Sequence, residues 1–169
     1  MLPTPDALAR PLRRSVLHFR EDRVRLLHHV RRQGGVVVIR RNVTPVAALV
    51  GYETVAFLGW IADEPTLAGM VDGVEELEAD AWSGQLVPGT AITSTDLTRF
   101  SARWLAPVVG ETCRPVMWHR QPAAVIVPLR ALKRLQACAR QPEVWGCLRA
   151  AWRADRADMP TGLSLKMVG

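Results

Sequence analysis

The stretch from Pro45 to Leu58 returns, altered, between Pro122 and Leu135. At an offset of 77 residues Pro45, Ala47, Val50 and Leu58 meet identical partners, and Val46, Ala48, Leu49, Tyr52 and Val55 meet apolar ones. Upstream the match continues at an offset of 78, where Phe19, Leu26, Leu27 and Val30 fall on Leu97, Trp104, Leu105 and Val108. An ordered match across two elements points to duplication rather than to a chance likeness of apolar runs. The change of offset places a one-residue insertion between helix and strand of the first copy. Each copy spans fewer than 50 residues, too few to bury a stable core alone. The expected architecture is a pair of units sharing one core, and a tandem chain can pair its own copies.

Each copy reads as a small α+β unit of the order β-α-β-β-α. In the second, Leu97, Phe100, Trp104, Leu105 and Val108 form one helical stripe. Thr95 or Ser94 suits the N-cap, Asp96 suits the positive helix end, and Pro107 should end or kink the last turn. In the first copy Phe19, Leu26, Leu27 and Val30 form the stripe, and Gly34-Gly35 stops it. Two strands then follow: Val36–Ile39 and Pro45–Val50 around a turn at Arg40–Thr44, and Val116–Trp118 and Pro122–Val127 around His119–Gln121. Short helices close the copies, at Tyr52–Ile61 and Leu129–Ala139. Leading strands are expected near Ser15–His18 and Ala91–Thr93. This divides the chain into a first unit at 14–60, an acidic linker at 61–90, a second unit at 91–139 and a tail at 140–169.

Charge follows the same division. Residues 1–41 carry ten Arg against three acids, residues 42–90 carry eight acids and no Lys or Arg, and residues 91–169 carry twelve basic residues against five acids. Two basic blocks flank an acidic centre. They read either as solvated faces around a soluble connector or as two phosphate-facing surfaces. Arg supplies 20 of the 22 basic side chains, and its planar fork matches phosphate and base edges. Three cysteines, Cys113, Cys138 and Cys147, lack a metal-ligand or disulfide pattern, so a reducing, cytoplasmic setting is expected. The most apolar stretch, Val43–Ala62, contains Pro45, Gly51 and Glu53 and does not read as a membrane span.

The arrangement of helix, Val37-Val38-Ile39-Arg40-Arg41, turn, Pro45-Val46-Ala47-Ala48-Leu49-Val50 and short helix resembles the Phd/YefM antitoxin family. The second copy offers Ser94, Trp104-Leu105, Val108 and Pro122-Ala123-Ala124-Val125-Ile126-Val127, spaced as in the family. The likeness covers about 90 of the 169 residues. It implies two Phd/YefM-like units pairing as a pseudo-dimer, operator-DNA binding in a transcriptional repressor or antitoxin-type regulator, and a C-terminal segment that engages a toxin. A further homodimer is compatible with it. The chain departs from the family where Leu97 replaces a helix-start Arg, where the Arg-Arg turn becomes Trp118-His119-Arg120, and in holding two copies.

The resemblance places the DNA surface at the start of the long helix, hence at Arg20 and Arg23, with Arg99 and Arg103 in the second copy. With the neighbouring basic positions, the expected contact set is Arg14, Arg20, Arg23, Arg40, Arg41, Arg99, Arg103 and Arg120. A solvated helix face with Glu21 and Asp22 as local partners is the competing reading. Within the linker, Val71–Trp82 reads as a short acidic helix, either a solvated connector or a DNA mimic lying over a basic groove. In the tail, Glu143–Arg156 is amphipathic, and Trp145, Leu148 and Trp152 either pack on the core or dock a toxin or other protein. A protein-interaction module without DNA binding is therefore the alternative function. His28 and His29 are adjacent and diverge on a helix, so no metal is expected. No cofactor motif, paired acid and base, phosphate loop or nucleophile constellation stands out, and an enzyme is not expected.

Overall fold

The computed structural model describes residues 1–63, 87–99 and 112–157. Its elements are α1 (Pro5–Ala9), β1 (Leu12–Ser15), α2 (Val16–Glu21), α3 (Arg23–Gln33), β2 (Val37–Arg41), β3 (Thr44–Val50) and α4 (Tyr52–Asp63). After these come β4 (Val87–Pro88), β5 (Ile92–Thr93), a 3-10 turn at Asp96–Thr98, β6 (Thr112–Trp118), β7 (Gln121–Pro128), α5 (Leu129–Ala139) and α6 (Pro142–Ala157). The expected acidic helix at Val71–Trp82 and the helical stripe at Phe100, Trp104, Leu105 and Val108 lie outside the described residues.

The strands form one sheet in the order β1-β2-β3-β7-β6-β4, with β5 also pairing β6. The protein is thus mixed α+β, with both segments contributing to a single sheet. The same pairing plan is drawn twice. In the first hairpin Val37 faces Leu49, Ile39 faces Ala47 and Arg40 faces Pro45, with a bulge between Ile39 and Arg40. In the second, Arg114 faces Ile126, Val116 faces Ala124 and Met117 faces Pro122, with a bulge between Val116 and Met117. Every one of these positions corresponds at an offset of 77. β1 runs parallel to β2 and β5 runs parallel to β6. Arg14 opposite Ile39 and Ile92 opposite Val116 keep the offset of 78 seen upstream.

β3 and β7 join the halves through antiparallel pairs from Ala47–Pro128 to Val50–Val125. Leu49 faces Ile126 within this ladder, and these two residues are themselves 77 apart. A two-fold relation between the hairpins therefore passes through that pair.

Both faces of the sheet are covered, which explains why Ala47–Val50 and Ala123–Val127 are continuous apolar runs rather than alternating ones. Val36, Val38, Ala48, Val50, Val125 and Val127 point into a core with α1, α4, α5 and α6. Val37, Ile39, Ala47, Leu49, Ala124 and Ile126 point the other way, onto Phe19, Leu26, Leu27 and Val30 of α2 and α3. Gly34 ends α3 at φ 62, with its N–H on the His29 carbonyl. A side chain there would be strained and would meet the Leu2 carbonyl at 3.0 Å.

Several local expectations change. The leading strand precedes Ser15–His18, because Ser15 caps α2: its Oγ accepts from the His18 backbone N–H at 3.3 Å. Thr95 holds the N-cap position of the 3-10 turn as expected but makes no side-chain cap bond; the bond equivalent to that of Ser15 comes from Thr93, whose Oγ1 accepts from the Asp96 N–H at 3.1 Å. The Asp96 carboxylate accepts in return from the Thr93 N–H at 2.9 Å, a reciprocal cap. The first long helix breaks at Asp22, which closes α2 and opens α3.

The tail is corrected too. Trp145, Leu148 and Trp152 are buried in the α1-side core. Trp152 packs at 5.5 Å from Phe57 and 5.2 Å from Trp60 by ring centroid, and its indole N–H donates to Glu53 at 3.2 Å. An amphipathic stripe has the same sequence pattern whichever surface it meets, and here it meets the chain's own core. These three residues offer no exposed docking face in the fold.

Candidate nucleic-acid interface

Ser15 and Asp22 bracket α2, so the first-unit helix start is held by local polar contacts beside β1. Arg14, the third residue of β1, reaches Asp22 at 3.8 Å (Nε to Oδ2) and donates from Nη1 to the Arg13 carbonyl at 2.9 Å. Arg23, the first residue of α3, donates to the Arg20 carbonyl at 3.3 Å. Arg20 crosses between the units: its guanidinium donates to the backbone carbonyl of Thr98. The residue in contact with Arg20 is also its counterpart at an offset of 78, so the last turn of α2 and the 3-10 turn of the second unit meet across the two-fold relation. Phe19 and Leu97, likewise 78 apart, are both fully buried beneath them. Arg99 follows Thr98 directly and is exposed. Arg14, Arg20, Arg23 and Arg99 thus belong to one connected patch.

α3 carries the basic surface onward to the second hairpin. Arg31 donates to the Gln121 side chain at 3.2 Å, and the His28 ring packs edge-on against Trp118 at 4.6 Å. Between Trp118 and Gln121 lie His119 and Arg120, both exposed and both left-handed at φ 50 and φ 62. Two left-handed residues suit a tight hairpin turn, a conformation that costs a branched or long side chain more than glycine. Arg120 therefore joins the α3 surface, not the patch around α2 and the 3-10 turn. Arg40 and Arg41 sit in the other hairpin: Arg41 is exposed and Arg40 is partly covered. Arg103 lies outside the described residues.

Burial sorts these side chains by what they can do. Arg20 is partly buried and spends a hydrogen bond on Thr98, so it holds the two units together as well as adding charge. Arg13, Arg25, Arg32, Arg41, Arg99 and Arg120 are exposed. Leu17 and His18, in the first turn of α2, are exposed as well, with Leu17 at 59%. Exposed side chains beside positive charge can reach base edges while arginines hold phosphates. Leu17 and His18 stand outside the expected contact set. Their signal is positional: the cap at Ser15 and the break at Asp22 decide which helix face is free.

Asp96 lies three residues before Arg99. The Thr93 backbone N–H, then the Thr93 side chain, hold its carboxyl below the ordinary aspartate range, so it stays ionised beside Arg99. Among the described residues no three His, Cys, Asp or Glu side chains gather in a metal-binding group. Among them, too, no helix is long and apolar enough to cross a membrane.

No protein family, curated protein or solved structure matches this chain.

Proposed function

We propose that this protein binds DNA sequence-specifically, as a cytoplasmic transcriptional repressor or antitoxin-type regulator made of two Phd/YefM-like units paired within one chain. The observation that carries the reading is the connected basic surface. Arg14, Arg20, Arg23 and Arg99 lie where α2 and the start of α3 meet the 3-10 turn of the second unit, and Arg31 of α3 reaches Gln121, beside Arg120. Positive charge contributed by both segments suits contact with a duplex backbone. The repeated pairing register and the meeting of α2 with the 3-10 turn support the pseudo-dimer, and the motif likeness supports its family. Operator DNA is the partner. The alternative, a module that engages a protein partner without DNA, loses its docking helix with the burial of Trp145, Leu148 and Trp152.

The test is a fluorescence-anisotropy titration of the purified chain against its own promoter duplex and a scrambled duplex at two salt concentrations. Preference for the promoter, with affinity falling steeply as salt rises, is the expected result. Equal weak binding to both duplexes leaves only non-specific electrostatics, and absence of binding at low salt discards the repressor reading.

A further inference from the structure

The backbone follows a two-fold plan, but the charges do not. At the equivalent positions set by strand register and cap geometry, Arg13 corresponds to Ala91, Arg14 to Ile92 and Arg20 to Thr98. Arg40 corresponds to Met117 and Arg41 to Trp118. None of these five first-unit cations has a charged counterpart. In the other direction, Arg99 stands where the first unit has Glu21, Arg114 where it has Val37, and Arg120 where it has Val43. In the strand, cap and turn segments no second-unit cation falls on a first-unit cation, whereas in the helix sequence Arg25 and Arg103 match at an offset of 78.

The two hairpin turns differ as well. The first has one left-handed residue, Asn42, while the second has two, His119 and Arg120. The cap side chains diverge too: Ser15 Oγ contacts the His18 imidazole at 3.1 Å, whereas Thr93 is paired with the Asp96 carboxylate. A symmetric dimer presents the same contacts twice and so selects an inverted repeat, with half-sites that mirror the protein's own axis. Here the two units carry different side chains at equivalent positions.

We infer that one chain recognises one asymmetric duplex site, its first unit and second unit reading unlike half-sites. This rests on the DNA-binding reading above. Arg14 and Arg41 come from the first unit, where the second has Ile92 and Trp118, and Arg99 and Arg120 come from the second unit, where the first has Glu21 and Val43. Such a chain needs no second copy to complete its site.

The experiment is selection from a pool of random-sequence duplexes by the full chain, followed by native mass spectrometry of the chain with the selected duplex. An enriched motif without inverted symmetry, bound by one chain, is expected. Arg14→Ala and Arg120→Ala should each weaken binding to that duplex, by about tenfold where the arginine makes a bidentate base contact. Reselection should show that they relax the motif at different, non-equivalent positions. An enriched inverted repeat, or two chains on each site, overturns the inference while leaving DNA binding intact. A pool that enriches no motif removes the DNA-binding reading, and the inference falls with it.

Discussion

Trp152→Ala tests whether α6 belongs to the core. The indole is 5% exposed and contacts Phe57 and Trp60, and its N–H is bonded to Glu53. Removing a buried Trp side chain costs about 3–5 kcal/mol, the spread reflecting how far the site collapses. The hydrogen bond to Glu53 is included in that range rather than added, because Glu53 stays partly open to water and can be rehydrated. Taking about 4 kcal/mol and a urea dependence of about 2 kcal/mol per molar, the midpoint should fall by about 2 M. The assay is urea denaturation followed by far-UV circular dichroism, since intrinsic fluorescence would itself change with the mutation. Trp152→Phe keeps a ring against Phe57 and should recover more than half of the loss. A Trp152→Ala midpoint within about 0.3 M of the parent, at unchanged slope, would refute the packing of α6 and restore the tail as a free docking helix.

Other outcomes follow from single contacts. Glu53 is pushed up by partial burial, but the amino terminus of Met1, the Trp152 indole and Arg156 outweigh this and hold its carboxyl below the ordinary 4.5. A depressed folded value contributes stability above the unfolded pKa, lost as pH falls through the folded one, so stability should drop below about pH 4.5 and Glu53→Gln should flatten that part of the urea-midpoint profile. Gly34→Ala should destabilise by about 1–2 kcal/mol through its left-handed backbone, read as a lowered thermal midpoint. Arg120→Gly should relieve a left-handed position, raising stability by about 0.5–1 kcal/mol while weakening DNA binding; a gain in both would remove Arg120 from the interface. A thiol reagent should modify Cys147 in the folded protein and reach Cys113 and Cys138 only on unfolding, as counted by mass spectrometry.

The hairpins and their closing helices were legible because strands covered on both faces write apolar runs, and because Pro45 and Pro122 mark the returning strands. α5 matches its expected limits, Leu129–Ala139. β1 lies earlier than the expected Ser15–His18 because Ser15 ends the strand and caps the next helix. α1 was not anticipated, although Thr4 accepts the Ala7 N–H and Pro5 opens the helix; five residues carry too little periodicity to register. In the basic surface, residue type was legible but commitment was not. No local pattern reveals that the Arg20 guanidinium is bonded to a carbonyl 78 residues away. Likewise, Trp145, Leu148 and Trp152 declare an apolar face without declaring what covers it.

The β3–β7 ladder, from Ala47–Pro128 to Val50–Val125, lies within one polypeptide. Between separate protomers such a ladder would be governed by mass action and would open on dilution. Here the connecting chain holds the halves at an effective concentration that does not change with the number of molecules in the cell. The folded fraction should be the same at nanomolar and micromolar protein. A protein present in a few copies would then keep its surface assembled, and occupancy of a binding site would rise linearly with protein concentration at low occupancy, not with its square.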